Sequence, residues 1–168
     1  MKKWLVIGLG NPILGDDGVG WKVADEVLHW CSTPGNPYHS QVEIETAALG
    51  GLSLMERLIG YQGVILIDAL ETGTHPSGTV SVFPLQDLKD HSLGHSSSSH
   101  DTTLLTALKT GNSMGLDLPS EILVVAIEAH KLYDFTESLS EPIAKAVPVA
   151  TRSVQDLLRQ VLPVLDNT

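Results

Sequence analysis

Short apolar runs alternate along the chain with longer segments of helical periodicity. Three runs are too short for buried helices and are rich in Val, Ile and Leu: Trp4 to Leu9, Val64 to Ile67 and Ile122 to Ile127. Unbroken runs of this kind are typical of strands that are covered on both faces. Two further segments, Val42 to Thr46 and Gly78 to Phe83, alternate apolar with polar residues and are also predicted to be strands.

The remaining apolar residues recur three or four positions apart, which is the spacing of one helix face. The predicted helices run from Asp16 to Trp30, from Gly51 to Ile59, through a segment marked by Leu104, Leu105, Leu108 and Met114, and from Glu141 to Leu162. Leu52, Met55 and Leu58 are expected to share the buried face of the second helix. Pro148 is expected to interrupt the last one, because proline removes a helical hydrogen bond.

The resulting order, β-α-β-α-β-β-α-β-α, predicts an α/β fold with a mostly parallel, twisted sheet of about five strands and helices on both faces. The strand from Gly78 to Phe83 follows a loop with Gly73 and Pro76, so it is expected to be antiparallel or at an edge. No internal repeat or linker is visible, and 168 residues suit a single domain over residues 1–168.

Charge narrows the class of partner. Twenty acidic residues against ten basic ones give a formal charge of −10, which repels phosphate backbones, so no nucleic-acid partner is expected. Lys2, Lys3 and the apolar run after them resemble the start of a signal peptide, but Asn11 and Pro12 interrupt it and no cleavage site follows. No apolar segment is long enough to cross a membrane, so a cytoplasmic protein is expected.

The usual nucleophiles and metal motifs find little support. Cys31 is the only cysteine, which excludes an internal disulfide and favours packing at a helix end. The four serines Ser96 to Ser99 lack the glycine elbow of serine hydrolases. No His-Glu-x-x-His helix is present, so a conventional zinc protease is not indicated.

The turn after the first strand contains two adjacent acids, Asp16 and Asp17, behind a glycine-rich segment. A dinucleotide-binding turn would require glycine at the position of Ile13, and no P-loop lysine is present. Capping of the following helix would explain one acid. Two acids at the carboxyl end of a buried strand also suit a binding site, because ligands of open α/β sheets bind at that edge.

Two other residues are expected at the same edge. Asp68 follows the run from Val64 to Ile67, where either a hydrogen bond to a loop amide or a site role would explain it. His100 closes a Ser- and His-rich segment, residues 87–100, which is predicted to be a mobile loop preceding a helix. His91 and His95 share that segment, so the choice of histidine stays open. Two carboxylates and an imidazole would suit nickel or zinc.

These features form a series that continues over about residues 4–160. It comprises Gly8-x-Gly10-Asn11 with Asp16-Asp17-Gly18-x-Gly20, then Ile67-Asp68-Ala69, Pro76 to Val80, and Ser99-His100 leading to Leu104 and Leu108. In this series the chain resembles the hydrogenase maturation endopeptidases. The resemblance implies a three-layer α/β/α sandwich and an aspartic-type endopeptidase that removes a C-terminal extension from a [NiFe]-hydrogenase large-subunit precursor after nickel insertion.

The resemblance also implies a site. Carried over by motif position, Asp17, Asp68 and His100 are the metal ligands and the catalytic set, with Asp16 as second choice for the first ligand. Nickel would arrive on the substrate, and another divalent metal would also suit these ligands. Two departures concern substrate contacts and reach: the segment Thr46 to Gly51 replaces an Asp-Gly-Gly of many members, and some members have glutamate at the position of Asp17.

The mechanism is left with alternatives. Substrate-borne nickel would act as a Lewis acid or only as an anchor, and Asp16 or Asp68 would take a proton from water. Glu128 and His130 follow the last strand, and a structural or substrate-contact role is expected for them. A small processing protease of this kind is expected to act as a monomer.

Two other functions compete with this reading. A non-catalytic metal-binding chaperone of a hydrogenase precursor would use the same ligands. Peptidyl-tRNA hydrolase also begins with a Gly-Leu-Gly-Asn-Pro strand end, but its Thr-Arg-His-Asn stretch is missing after Pro12.

Overall fold

The computed structural model describes residues 3–88, 99–130 and 135–162, and for residues 99–103 the backbone alone. The strands are β1 (Trp4–Leu9), β2 (Val42–Ala47), β3 (Gly63–Leu70), β4 (Val80–Pro84) and β5 (Glu121–Glu128). The α-helices are α1 (Val19–Cys31), α2 (Gly51–Leu58), α3 (Ser99–Ser113) and α4 (Glu141–Val161). Short 3-10 helices cover Gly15–Gly18 and Leu85–Asp87.

The five strands form one sheet in the order β2-β1-β3-β5-β4. All neighbouring pairs are parallel except β4 and β5, which are antiparallel. The predicted parallel sheet and its antiparallel edge strand are therefore confirmed. The carboxyl ends of the four parallel strands lie along one edge, near which the turn with Asp17 and the last part of β3 with Asp68 are found.

The sheet separates two hydrophobic cores. One core, which includes Ile65 and Ile67, packs against α1 and α4; the other, which includes Val64, Leu66 and Leu70, packs against α2 and α3. The alternation along β3 explains this division, because successive side chains of a strand point to opposite faces. The predicted α/β fold with helices on both faces is confirmed as three layers.

Pro148 does not interrupt α4. The helix is continuous from Glu141 to Val161 with Pro148 inside it. Its buried positions at Ile143, Ala150 and Leu158 lie against the sheet on both sides of the proline, so packing outweighs the lost hydrogen bond.

Leu52 was expected on the buried face of α2 and is instead 61% exposed. The helix buries Leu54 and Met55 together with Leu58, which lies four positions after the first and three after the second. Leu52 belongs to a different side of this short helix.

The predicted loop over residues 87–100 is wrong at both of its ends, since Asp87 belongs to a 3-10 helix. Leu88 is buried, and α3 already begins at Ser99, so His100 belongs to the first turn of a helix. His91, His95 and Ser96 to Ser98 lie outside the described residues. In the part of the chain that is described, none of the helices has the length and apolar character needed to span a bilayer.

Candidate active site

Glycines bring α1 directly onto the sheet. A Cβ atom on Gly20 would lie 2.3 Å from the carbonyl oxygen of Leu9 and 2.5 Å from that of Ile67. A Cβ atom on Gly8 would lie 2.2 Å from the carbonyl oxygen of Gly20. Only glycine permits such contact between backbones, so the glycine motif serves close helix–strand packing.

Asp17 lies in the 3-10 turn between β1 and α1 and is partly buried. Its Oδ2 accepts a hydrogen bond from the backbone N–H of Asn11 at 2.7 Å. Gly10, with φ of 126°, makes room for it: a Cβ there would lie 1.9 Å from the carbonyl oxygen of Asp17. The turn is therefore folded tightly back on the end of β1, with Asp17 at the carboxyl edge of the sheet.

Asp68 belongs to β3 itself and does not follow it, because the strand extends to Leu70. It is 2% exposed, and its Oδ1 accepts a hydrogen bond from the backbone N–H of Ala69 at 2.9 Å. It pairs in register with Ala126 of β5. By strand alternation it shares the face of Leu66 and Leu70, which is the face covered by α2 and α3.

The two carboxylates lie on neighbouring parts of the sheet edge. Gly8 of β1 is in register with Ile67 of β3, so Asp68 stands at the level where β1 ends. The 3-10 turn that contains Asp17 contacts β3. The structure thus brings the elements that carry Asp17 and Asp68 together, as the sequence predicted.

For His100 the structure describes only the backbone, which belongs to the first turn of α3. One turn after it, Leu104 is fully buried in the core on the face of Asp68. The side chain of His100 lies outside the described residues, so its convergence with the two carboxylates stays a prediction. Among the side chains that are described, no three His, Cys, Asp or Glu residues gather closely enough to hold a metal.

Asp16, the second choice for the first ligand, has another role. It is 2% exposed, and its two oxygens accept hydrogen bonds from the backbone N–H and the hydroxyl of Ser140, both at 2.7 Å. Ser140 is the N-cap residue of α4. Capping of the following helix was expected, whereas the carboxylate holds the N-cap residue of a helix 124 residues away in sequence.

Cys31 packs as predicted. It is the last residue of α1 and 3% exposed. Burial raises the pKa of its thiol to about 11, because the apolar surroundings disfavour the thiolate. A nucleophilic role is therefore unsupported.

Glu128 organises the loop after β3. Its Oε1 accepts the backbone N–H groups of Thr72 and Gly73, each at 2.9 Å, and its Oε2 accepts the hydroxyl of Thr72 at 2.8 Å. The structural role expected for Glu128 is confirmed, while His130 is exposed just beyond the strand. Sequence reasoning missed the threonine partners; the visible signal was an acid ending a buried strand that pairs with β3.

Comparison with known proteins gives the family of this fold and site. A family model described as hydrogenase maturation protease matches residues 32–157. The chain is 28% identical over 153 residues to a Methanocaldococcus jannaschii protein provisionally named as such a protease, covering 89% of this chain and 92% of that one. It is 24% identical to the hydrogenase expression/formation protein HupD of Thiocapsa roseopersicina, covering 93% and 67%.

A solved structure shares the fold. The hydrogenase maturating endopeptidase HybD from E. coli superposes with a TM-score of 0.74 at 19% identity, over 95% of this chain and 94% of that one. Since the family model spans three quarters of the sequence, this chain belongs to the hydrogenase maturation protease family and is a peptidase.

Proposed function

We propose that this protein removes the C-terminal extension of a [NiFe]-hydrogenase large-subunit precursor after nickel has been inserted. Membership of the family supports a processing role on hydrogenase precursors. The observation that supports the finer proposal is the contact between the 3-10 turn that carries Asp17 and β3, the strand that carries Asp68. The protein is proposed to work as a monomer in the cytoplasm.

In this proposal, nickel belongs to the substrate. Carboxylate oxygens of Asp17 and Asp68 and the imidazole of His100 would supply an O,O,N ligand set with open positions, which suits a borderline divalent ion already held by the precursor. Oδ2 of Asp17 and Oδ1 of Asp68 each accept a hydrogen bond from a backbone N–H, and these bonds fix the orientation of the two carboxylates.

The ion would anchor the scissile bond or polarise its carbonyl group. Two of the protein's own groups, the carboxylates of Asp16 and Asp68, are candidates to accept a proton from water. Both oxygens of Asp16 already accept hydrogen bonds from Ser140, and the residue is buried. Asp68 is equally buried, but it belongs to β3 near the carboxyl edge of the sheet, where the substrate would bind, and it is therefore the acceptor in this proposal.

Intact-mass spectrometry of purified precursor tests this function. Incubation with the wild-type protein is expected to remove a C-terminal peptide from nickel-loaded precursor and to leave nickel-free precursor unchanged. A stable complex without any loss of mass would instead identify a metal-binding chaperone. Equal trimming of both precursor forms would contradict the recognition of nickel.

A further inference from the structure

A chain of hydrogen bonds connects a buried carboxylate to an exposed imidazole. The hydroxyl of Thr72 donates to Oε2 of Glu128 at 2.8 Å. Thr72 Oγ1 and Thr74 Oγ1 are 2.7 Å apart, and Thr74 Oγ1 is 2.9 Å from Nδ1 of His75. Glu128 is 4% exposed, whereas His75 is exposed to solvent.

The carboxylate of Glu128 determines which atom donates in each hydrogen bond from Thr72 to His75. Ionised Glu128 can only accept, so the single hydroxyl proton of Thr72 is directed to it. Thr72 Oγ1 must then accept the hydroxyl proton of Thr74, and it also accepts the backbone N–H of Thr74 at 3.2 Å. Thr74 Oγ1 is left as an acceptor for its neighbour, so Nδ1 of His75 is the protonated nitrogen.

This order selects one tautomer of the neutral imidazole. When Nδ1 carries the hydrogen, Nε2 presents a lone pair and can only accept a hydrogen bond. Fixing one ring nitrogen to determine what the other can do is the usual way in which proteins prepare a histidine for contact with a ligand.

His75 lines a cavity next to the proposed site. The cavity walls include Leu70, Phe83, Ala126 and Glu128. Ala126 is the register partner of Asp68, and Leu70 lies two residues beyond Asp68 on the same face of β3. The exposed imidazole of His75 thus borders a small recess that lies beside Asp68 on the sheet.

We propose that His75 is a substrate-contact residue, whose Nε2 accepts a hydrogen bond from a peptide N–H of a precursor segment that lies along the sheet edge beside Asp68. Glu128, Thr72 and Thr74 act as positioning residues, because they orient the imidazole and select its tautomer. The inference rests on the proposed peptidase function and specifies how that site holds its peptide.

The substitution Glu128→Gln reverses the direction of the hydroxyl hydrogen bonds and leaves the loop structure in place. The glutamine oxygen can still accept the two N–H groups now bound by Oε1, while its amide donates to Thr72 Oγ1. The hydroxyl protons of Thr72 and Thr74 then turn towards His75, whose hydrogen moves to Nε2. The loop keeps its hydrogen bonds, but Nε2 of His75 changes from acceptor to donor.

Two measurements test the proposal. Long-range 1H–15N spectra near pH 9, where histidine side chains are neutral, are expected to show the Nδ1–H tautomer for His75 in the wild type and the Nε2–H tautomer in Glu128→Gln. In steady-state processing, His75→Ala and Glu128→Gln are each expected to raise KM by about 3- to 10-fold, the range of one hydrogen bond, with little change in kcat. His39→Ala removes an exposed histidine near the opposite edge of the sheet and serves as the control.

An Nε2–H tautomer in the wild type would overturn the hydrogen-bond chain. Wild-type processing with an unchanged KM in both variants would overturn the substrate contact alone. Failure of the wild-type protein to process any precursor would overturn the proposed function, and the contact with it.

Discussion

Asp16 and Ser140 connect the first turn of the fold to the start of its last helix. Both oxygens of the buried carboxylate accept hydrogen bonds from Ser140, one from its backbone N–H and one from its hydroxyl. The neighbouring backbone strengthens this connection, since Gly15 N–H donates to the carbonyl oxygen of Thr136 and Thr136 N–H donates to that of Ile13. The two adjacent acids therefore have different partners: Asp16 binds Ser140 at the start of the last helix, whereas Asp17 binds the backbone of Asn11 and is the residue proposed as a ligand.

Asp16→Ala is expected to lower the free energy of unfolding by about 2–4 kcal/mol, because two buried hydrogen bonds to a charged group are lost. Urea denaturation followed by circular dichroism measures this change. Asp16→Asn is the matched variant: its amide can accept the N–H and donate to the hydroxyl, so most of the stability should remain. Equal stability of Asp16→Ala and the wild type would contradict the structural role.

Gly20→Ala provides a test of the helix–sheet contact. In an ordinary exposed helix position, this substitution would stabilise the protein by about 1 kcal/mol. At Gly20 the added carbon would lie 2.5 Å or less from two backbone carbonyl oxygens, so a loss of stability is expected instead. Thermal unfolding shows whether the substitution raises or lowers the melting temperature, with Lys22→Ala on the exposed side of α1 as the control. A higher melting temperature for Gly20→Ala would show that α1 does not approach the sheet this closely.

Tyr61→Phe is expected to alter stability in acid. The hydroxyl of Tyr61, and after it Lys3, holds the pKa of the Glu43 carboxyl below its usual value through hydrogen bonds. Because the folded-state pKa is lowered, this contribution is present above the unfolded pKa and is lost as the pH falls through the folded one. The wild type should therefore lose more stability on acidification than Tyr61→Phe.

The effect of Tyr61→Phe will be small, because the Glu43 side chain is 40% exposed and solvent screens its interactions. Urea denaturation from neutral pH down to about pH 3, below the usual carboxyl pKa, measures the difference between the two proteins. Parallel pH curves would contradict the assignment of the lowered pKa to this hydroxyl.

Cys31 should be inert in the native protein. Burial raises the pKa of the thiol to about 11, so only a very small fraction is thiolate at neutral pH. Native protein should resist alkylation by iodoacetamide, and Cys31→Ala should process precursor normally. Rapid labelling before unfolding, detected by mass spectrometry, would contradict this burial.

Much of the architecture could be predicted from local pattern. The uniform apolar runs of β1, β3 and β5 predict buried strands, and their alternation with helices predicts a parallel sheet. The continuous α4 could not be predicted in this way, because a proline signal is local while the packing that overrides it comes from distant strands. The exposure of Leu52 was also missed, since eight residues give too few turns to define a face.

The site could be predicted only in part. The carboxyl edge of the sheet follows from topology, so the position of Asp17 and Asp68 near that edge could be predicted, whereas their role as ligands stays a prediction. The contact between Asp16 and Ser140 and the chain from Glu128 to His75 depend on loops that meet across 124 and 56 positions of sequence. No spacing rule encodes such pairs, so these roles became visible only in three dimensions.

The most direct test of the proposed nickel grip is the single-turnover processing rate of nickel-loaded precursor by His100→Gln, compared with His39→Gln. If the imidazole of His100 joins Asp17 and Asp68 around the incoming ion, its loss should slow processing by on the order of 100-fold or more, because the scissile bond is no longer held in place. The account predicts this loss in a folded variant, with a normal rate for His39→Gln. A folded His100→Gln protein that trims the precursor at the wild-type rate would contradict it.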